Sequence, residues 1–173
     1  MLSAQGTRRI ADVEKLRALA ARAPGLLTID AVKGTPPDQV DLTMAVPTPR
    51  DRNYPSVVQQ RTSVSIVMAA RYPFDGPMVT LHTPVWNPNV YPSGKWCYGN
   101  WTPTENMELF VVRLMKVLAL DPSIVNPASP ANAEAAHWYV GILASNPRLF
   151  PTMDILAATA GPPPPRVAWR NLR

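Results

Sequence analysis

Pro84-Val85-Trp86-Asn87-Pro88-Asn89-Val90-Tyr91-Pro92-Ser93-Gly94-Lys95-Trp96-Cys97-Tyr98-Gly99-Asn100-Trp101-Thr102-Pro103-Thr104 is the stretch that decides the fold. It has neither the alternation of a strand nor the spacing of a helix, because proline and glycine interrupt it throughout. A loop this long inside a compact domain is either functional or disordered. Trp86, Trp96 and Trp101 argue against disorder, since disordered segments are poor in aromatic residues. The stretch therefore reads as an ordered, irregular platform. It also holds Cys97, the one cysteine of the chain.

Regular patterns flank this platform. An amphipathic helix is expected over residues 8–23, with Ile10, Val13, Leu16 and Ala20 at helical spacing and Pro24-Gly25 as its stop. Four β-like segments follow. Leu26–Lys33 alternates weakly, Val40–Val46 and Thr62–Met68 alternate well, and Met78–Thr83 is the fourth. Residues 47–56, rich in proline and charge, read as a loop. The connections are too short for helical crossovers, so the strands form an antiparallel meander. Beyond the platform, Met107–Leu120 is apolar almost all round and predicts a buried helix. Its start is either a capping box at Thr102-Pro103-Thr104-Glu105 or a point a few residues later. Ala131–Ala144 predicts a last helix. The order gives an α+β fold with helices on one side of a four-stranded antiparallel sheet. One domain is expected over residues 1–150. A basic tail over 151–173 contains the polyproline run Pro162–Pro165.

With 46% apolar residues among 173, the chain can bury a real core. No stretch reaches the roughly 18–20 apolar residues that a membrane helix needs. No apolar run of a secretory signal stands at the N-terminus, so a cytoplasmic protein is expected. The net charge is +5, but the basic residues are spread along the chain rather than gathered into a nucleic-acid groove. Such charge fits docking to an acidic protein face. A single cysteine rules out an internal disulfide and any zinc site built on several thiolates. Taken alone, Cys97 is either a small buried hydrophobe or a reactive thiol.

The motifs along residues 8–150 resemble those of the ubiquitin-conjugating enzymes. Tyr72-Pro73-Phe74 followed by Pro77 is similar to the family's Tyr-Pro-Phe-x-x-Pro loop. Asn87-Pro88-Asn89 is similar to its His-Pro-Asn tripeptide. The family's catalytic cysteine lies eight residues after that last asparagine, with a glycine three residues before the cysteine. Cys97 and Gly94 occupy those positions here. Trp101-Thr102-Pro103 resembles Trp-Ser-Pro, and Asp121-Pro122 through Pro127 and Pro130 resembles the loop before the last shared helix. Asn87 in place of histidine and the short Cys97–Trp101 interval are departures. They suggest a divergent branch, such as the bacterial conjugation systems that resemble ubiquitination.

The resemblance implies a chemistry that needs no cofactor and no metal. Cys97 would take the C-terminus of a ubiquitin-like protein from an activating enzyme as a thioester and pass it to an acceptor, expected to be an amine. Asn89 would stabilise the oxyanion of that transfer, or else only tie the loop together. Asn126 would orient the incoming nucleophile, or be a polar loop residue. Arg8, Arg9, Lys15 and Arg17 would dock the activating enzyme, or be a solvated helix face. Phe74, Trp101 and Pro103 would meet a ligase, or, for Phe74 and Trp101, belong to the core. His82 and His137 are expected to be structural. The alternative to a transferase is a non-catalytic binding module of the same fold.

Overall fold

The computed structural model describes residues 2–150 together with Thr152, Asp154 and Ile155. Helix α1 spans Ala4–Arg22, starting earlier than the apolar spacing shows. Ser3 caps it by accepting from the Gly6 amide at 3.1 Å, a signal that apolar periodicity does not carry. Val13, Leu16 and Leu19 form its buried face.

Strands β1 (Leu27–Lys33), β2 (Gln39–Met44), β5 (Thr62–Val67) and β6 (Met78–Leu81) form an antiparallel sheet in the order β1-β2-β5-β6. This is the expected meander. The weak alternation of β1 has a physical cause. Ile29 faces Leu42 and Ala31 faces Asp41, so Asp30 is an extra residue and a bulge shifts the side chains that follow. The residues expected to form a plain loop carry a small ladder instead. Strand β3 (Thr48–Pro49) pairs with β4 (Val58–Gln59), a hairpin too short to show alternation.

Val40, Leu42, Met44, Val64, Ile66, Val79 and Leu81 make the sheet's inner face and pack with α1 and with helix α2, Met107–Leu118. The later of the two expected starts of α2 is the observed one: Asn106 is the cap and accepts from the Glu108 amide at 2.9 Å. Thr102 to Glu105 forms a separate turn. Helix α3 (Ala133–Ser145) is capped by Asn132 and covers a second, smaller core of Leu120, Val125, Tyr139 and Phe150. Of the expected tail, Ile155 is fully buried against the main core, so burial continues past residue 150. The polyproline run and the basic residues after it lie outside the described residues.

Two of the α1 cations, Arg8 and Arg9, turn inward. Arg8 donates through Nε to Asp12 (2.7 Å), through Nη1 to the Pro103 carbonyl (2.7 Å) and through Nη2 to the Glu105 carbonyl (2.6 Å). Tyr72, fully buried, donates its hydroxyl to the same Asp12 carboxylate. Burial first, and the Asp12 charge with it, push the Tyr72 phenol far above its ordinary pKa, so it stays a donor. The cluster joins α1, the Tyr72 turn and the lead-in to α2. Removing Asp12 strands Arg8 and Tyr72. Asp12→Ala should therefore destabilise the protein by about 3–5 kcal/mol in urea unfolding. Arg17→Ala, which breaks only an exposed pair with Glu14, should cost no more than about 1 kcal/mol.

Candidate active site

The platform is ordered because its main chain is satisfied from both sides. Gly94 to Trp96 runs along the free edge of β6: the Leu81 amide donates to the Gly94 carbonyl (2.8 Å) and the Trp96 amide to the Val79 carbonyl (3.1 Å). Gly94 has φ +84°, and a Cβ there would lie 2.3 Å from the Leu81 carbonyl oxygen, so the close approach requires glycine. The Gly94 amide closes a turn onto the Tyr91 carbonyl at 2.8 Å.

The other side is held by two buried asparagines. Asn87 donates Nδ2 to the Val117 carbonyl at the C-terminal part of α2 (2.6 Å), and its Oδ1 accepts from the Asn89 amide (2.8 Å). An amide supplies both a donor and an acceptor, so asparagine can hold this loop where histidine would. Asn89 donates Nδ2 to the Asn126 carbonyl and accepts on Oδ1 from the Asn126 amide, both at 2.9 Å. The Pro88 carbonyl accepts from the amides of Ala131 and Asn132 at the head of α3. The Cys97 amide donates to the Asn89 carbonyl at 2.9 Å. One chain of bonds thus links α2, the Asn126 loop and the cysteine.

Cys97 is half-buried and lies where two clefts meet. One cleft runs between Asn89, Val117, Ile124 and Asn126, with Arg113 on its wall. The other lies over Pro77, Met78, Tyr91 and Lys95. Asn89, Cys97 and Asn126 are therefore brought together. The side-chain oxygen of Asn126 accepts from the Ala128 amide at 3.1 Å, which turns its own loop. Phe74 is 65% exposed. Trp101 is half-buried, donating Nε1 to the Pro73 carbonyl at 2.8 Å and lying edge-on to Phe110. Pro103 is exposed, with its carbonyl taken by Arg8. Arg8 and Arg9 are both engaged within the chain, Arg9 at the Ala69 carbonyl. Lys15 and Arg17 are exposed. His82 is on the outer sheet face, bonded to Ser65 at 2.7 Å, and His137 is exposed on α3. Neither histidine lines the clefts at Cys97. Among the described residues, no group of three His, Cys, Asp or Glu side chains is placed to hold a metal ion. Nor is any of their helices long and apolar enough to cross a membrane.

Two residues at the site had escaped the sequence reading. Tyr91 and Cys97 line the same cleft. Interaction with the Cys97 sulfur, by hydrogen bonding first and by charge second, pushes the Tyr91 pKa above its ordinary value, so the phenol is neutral near neutral pH. Arg113 is a cation inside an almost wholly apolar helix, and that contrast was the signal available for it.

A family model described as "Ubiquitin-conjugating enzyme" matches residues 26–146. That is more than half of the chain, and the chain belongs to the ubiquitin-conjugating enzyme family. It is 28% identical over 86 residues to an African swine fever virus protein called "Ubiquitin-conjugating enzyme E2", covering 43% of this chain and 38% of that protein. It is 32% identical over 80 residues to the Schizosaccharomyces pombe "Ubiquitin-conjugating enzyme E2-20 kDa", covering 44% of this chain and 43% of that protein. The chain thus spans less than half the length of these curated relatives. Among solved structures it is similar to S. cerevisiae Ubc12, with a TM-score of 0.61 over 82% of this chain and 74% of that one. At 20% identity, that likeness shows the fold.

The amide network predicts a stability effect that is separate from chemistry. Asn87→Ala removes a buried donor and a buried acceptor at once, leaving the Val117 carbonyl and Asn89 amide unmet. Thermal and urea unfolding should show a loss of about 2–4 kcal/mol. A value near zero would mean that water replaces both bonds.

Proposed function

We propose that this protein accepts the C-terminus of a ubiquitin-like protein as a thioester on Cys97 and passes it to an acceptor amine. The observation that carries this reading is the position of Cys97. It is a lone thiol, half-buried, held by the Asn89 carbonyl at the meeting point of two clefts. The family membership supports the same class of reaction.

The first step exchanges one thioester for another and is nearly balanced in energy, so access and positioning are its main demands. The Cys97 sulfur attacks the thioester carbonyl on an activating enzyme, and that enzyme's cysteine leaves. In the second step an amine attacks the Cys97 thioester and the tetrahedral intermediate carries an oxyanion. Asn89 uses its Oδ1 and one N–H on Asn126, and an amide nitrogen has two donors. The second N–H of Asn89 is the candidate donor to the oxyanion. Asn126 stands across the cleft, where it can orient or desolvate the amine; an amide cannot take its proton. Tyr91, a neutral phenol on the same cleft, can donate to the sulfur as it leaves.

The partners of this reading are a ubiquitin-like protein, an activating enzyme and, as a third, a ligase. With Arg8 and Arg9 engaged internally, the activating enzyme would meet Lys15 and Arg17. Phe74 and the exposed Pro103 would form the ligase face, with Trp101 as support behind them. A free reactive thiol suits a reducing compartment such as the cytoplasm.

With the activating enzyme, the ubiquitin-like protein and ATP, a non-reducing gel should show one thiol-sensitive adduct. It should vanish in Cys97→Ala and become thiol-resistant in Cys97→Ser. No adduct, or an adduct that survives in Cys97→Ala, favours the non-catalytic module. Asn89→Ala should still charge, yet discharge to lysine about 100-fold more slowly. Loss of charging together with a lowered melting temperature would confine Asn89 to tying the loop.

A further inference from the structure

The cleft between Asn89, Val117, Ile124 and Asn126 has a polarity that the family membership does not require. Among the described residues, none that lines it carries a carboxylate. Its one charged wall is Arg113. That guanidinium lies over the rings of Trp96 (5.6 Å) and Phe110 (5.3 Å), so its orientation is fixed. Nη2 is 2.9 Å from the Glu105 carboxylate, but neither Nη2 nor Nε, both buried, makes an aligned hydrogen bond. The side chain is 27% exposed, and among the described residues Nη1 makes no hydrogen bond. A cation with donor capacity to spare thus borders the cleft that ends at Cys97. Lys95, exposed on the far side of the cysteine, is a second cation near it.

We infer that Arg113 is a specificity-determining residue, selecting a ubiquitin-like protein whose C-terminal tail carries an acidic side chain. The inference rests on the reading of Cys97 as an acyl carrier. A tail whose last carbonyl is bonded to the Cys97 sulfur extends away at about 3.3 Å per residue. If it leaves along this cleft, side chains a few residues from its end pass the guanidinium. A carboxylate there finds an unused donor at a fixed position, and a lysine or arginine meets a like charge.

Peptide thioesters test this without an activating enzyme. The probes are eight-residue peptides ending in Gly-Gly as a mercaptoethanesulfonate thioester, with Asp, Ser or Arg at the third or fourth position from the end. Cys97 gives up its proton and its sulfur forms the new C–S bond. The old C–S bond breaks, and the departing thiolate takes up the proton. Acylation is followed by intact mass. The native protein should favour an Asp peptide over its Arg counterpart by about tenfold in initial rate. That ratio should shrink towards one in 1 M salt, about a 3 Å screening length. Arg113→Gln should show little preference. The salt series uses the native protein, so a variant that folds poorly does not remove the test. Equal rates for Asp and Arg peptides, or a preference unchanged in Arg113→Gln, overturns the role of Arg113 and leaves Cys97 a carrier. Failure of every peptide to acylate Cys97 overturns the carrier reading and this inference with it.

Discussion

The reciprocal bond between the Asn89 side chain and the Asn126 main chain is the constraint on which the rest of the site depends. The platform over residues 84–104 contains no helix and no strand, only an isolated bridge between Val90 and Trp96. A few of its backbone groups meet each other in turns, and the rest must find partners in neighbouring elements or lose their place. Asn89 supplies the link to the loop after α2, and Asn87 supplies the link to α2 itself. The β6 edge takes Gly94 and Trp96. Cys97 is held among these three anchors, and the two clefts are the spaces between them.

A second constraint shapes the surface. Arg8 spans from Asp12 in α1 to the carbonyls of Pro103 and Glu105. Charges that a helix wheel assigns to solvent thereby hold the platform's exit against α1. A surface cation loses little by being in water, so its expected exposure was the ordinary outcome. Burial of the Asp12 carboxylate changes that, because an unpaired buried charge is costly. The basic face that we propose for docking narrows accordingly to Lys15 and Arg17.

Much of the fold was legible because its signals are local. Val40, Leu42, Met44 and Val64, Ile66, Met68 alternate as half-buried strands must, and α2 is apolar because it is covered on most sides. The β1 bulge, the β3–β4 hairpin and the Ser3 cap were less legible: one extra residue, a two-residue strand and a polar cap leave no periodic trace. For the site, the spacing from Asn89 to Cys97 pointed to the cysteine. It did not show that Asn126 answers Asn89 through its main chain, since any residue type offers those groups. Tyr91 and Arg113 were less legible for another reason: their places at the clefts come from the turn at Gly94 and from the face α2 presents to the platform.

We propose that the amide-tied loop presents Cys97 as the point where a ubiquitin-like tail is attached. The structure of the Cys97→Ser conjugate, which holds the tail as a stable ester, tests it most directly. An ester at residue 97 is expected, with the tail lying along the cleft of Asn89, Val117 and Asn126, past Arg113. Attachment through a lysine, or a tail that leaves the surface without entering that cleft, would contradict it.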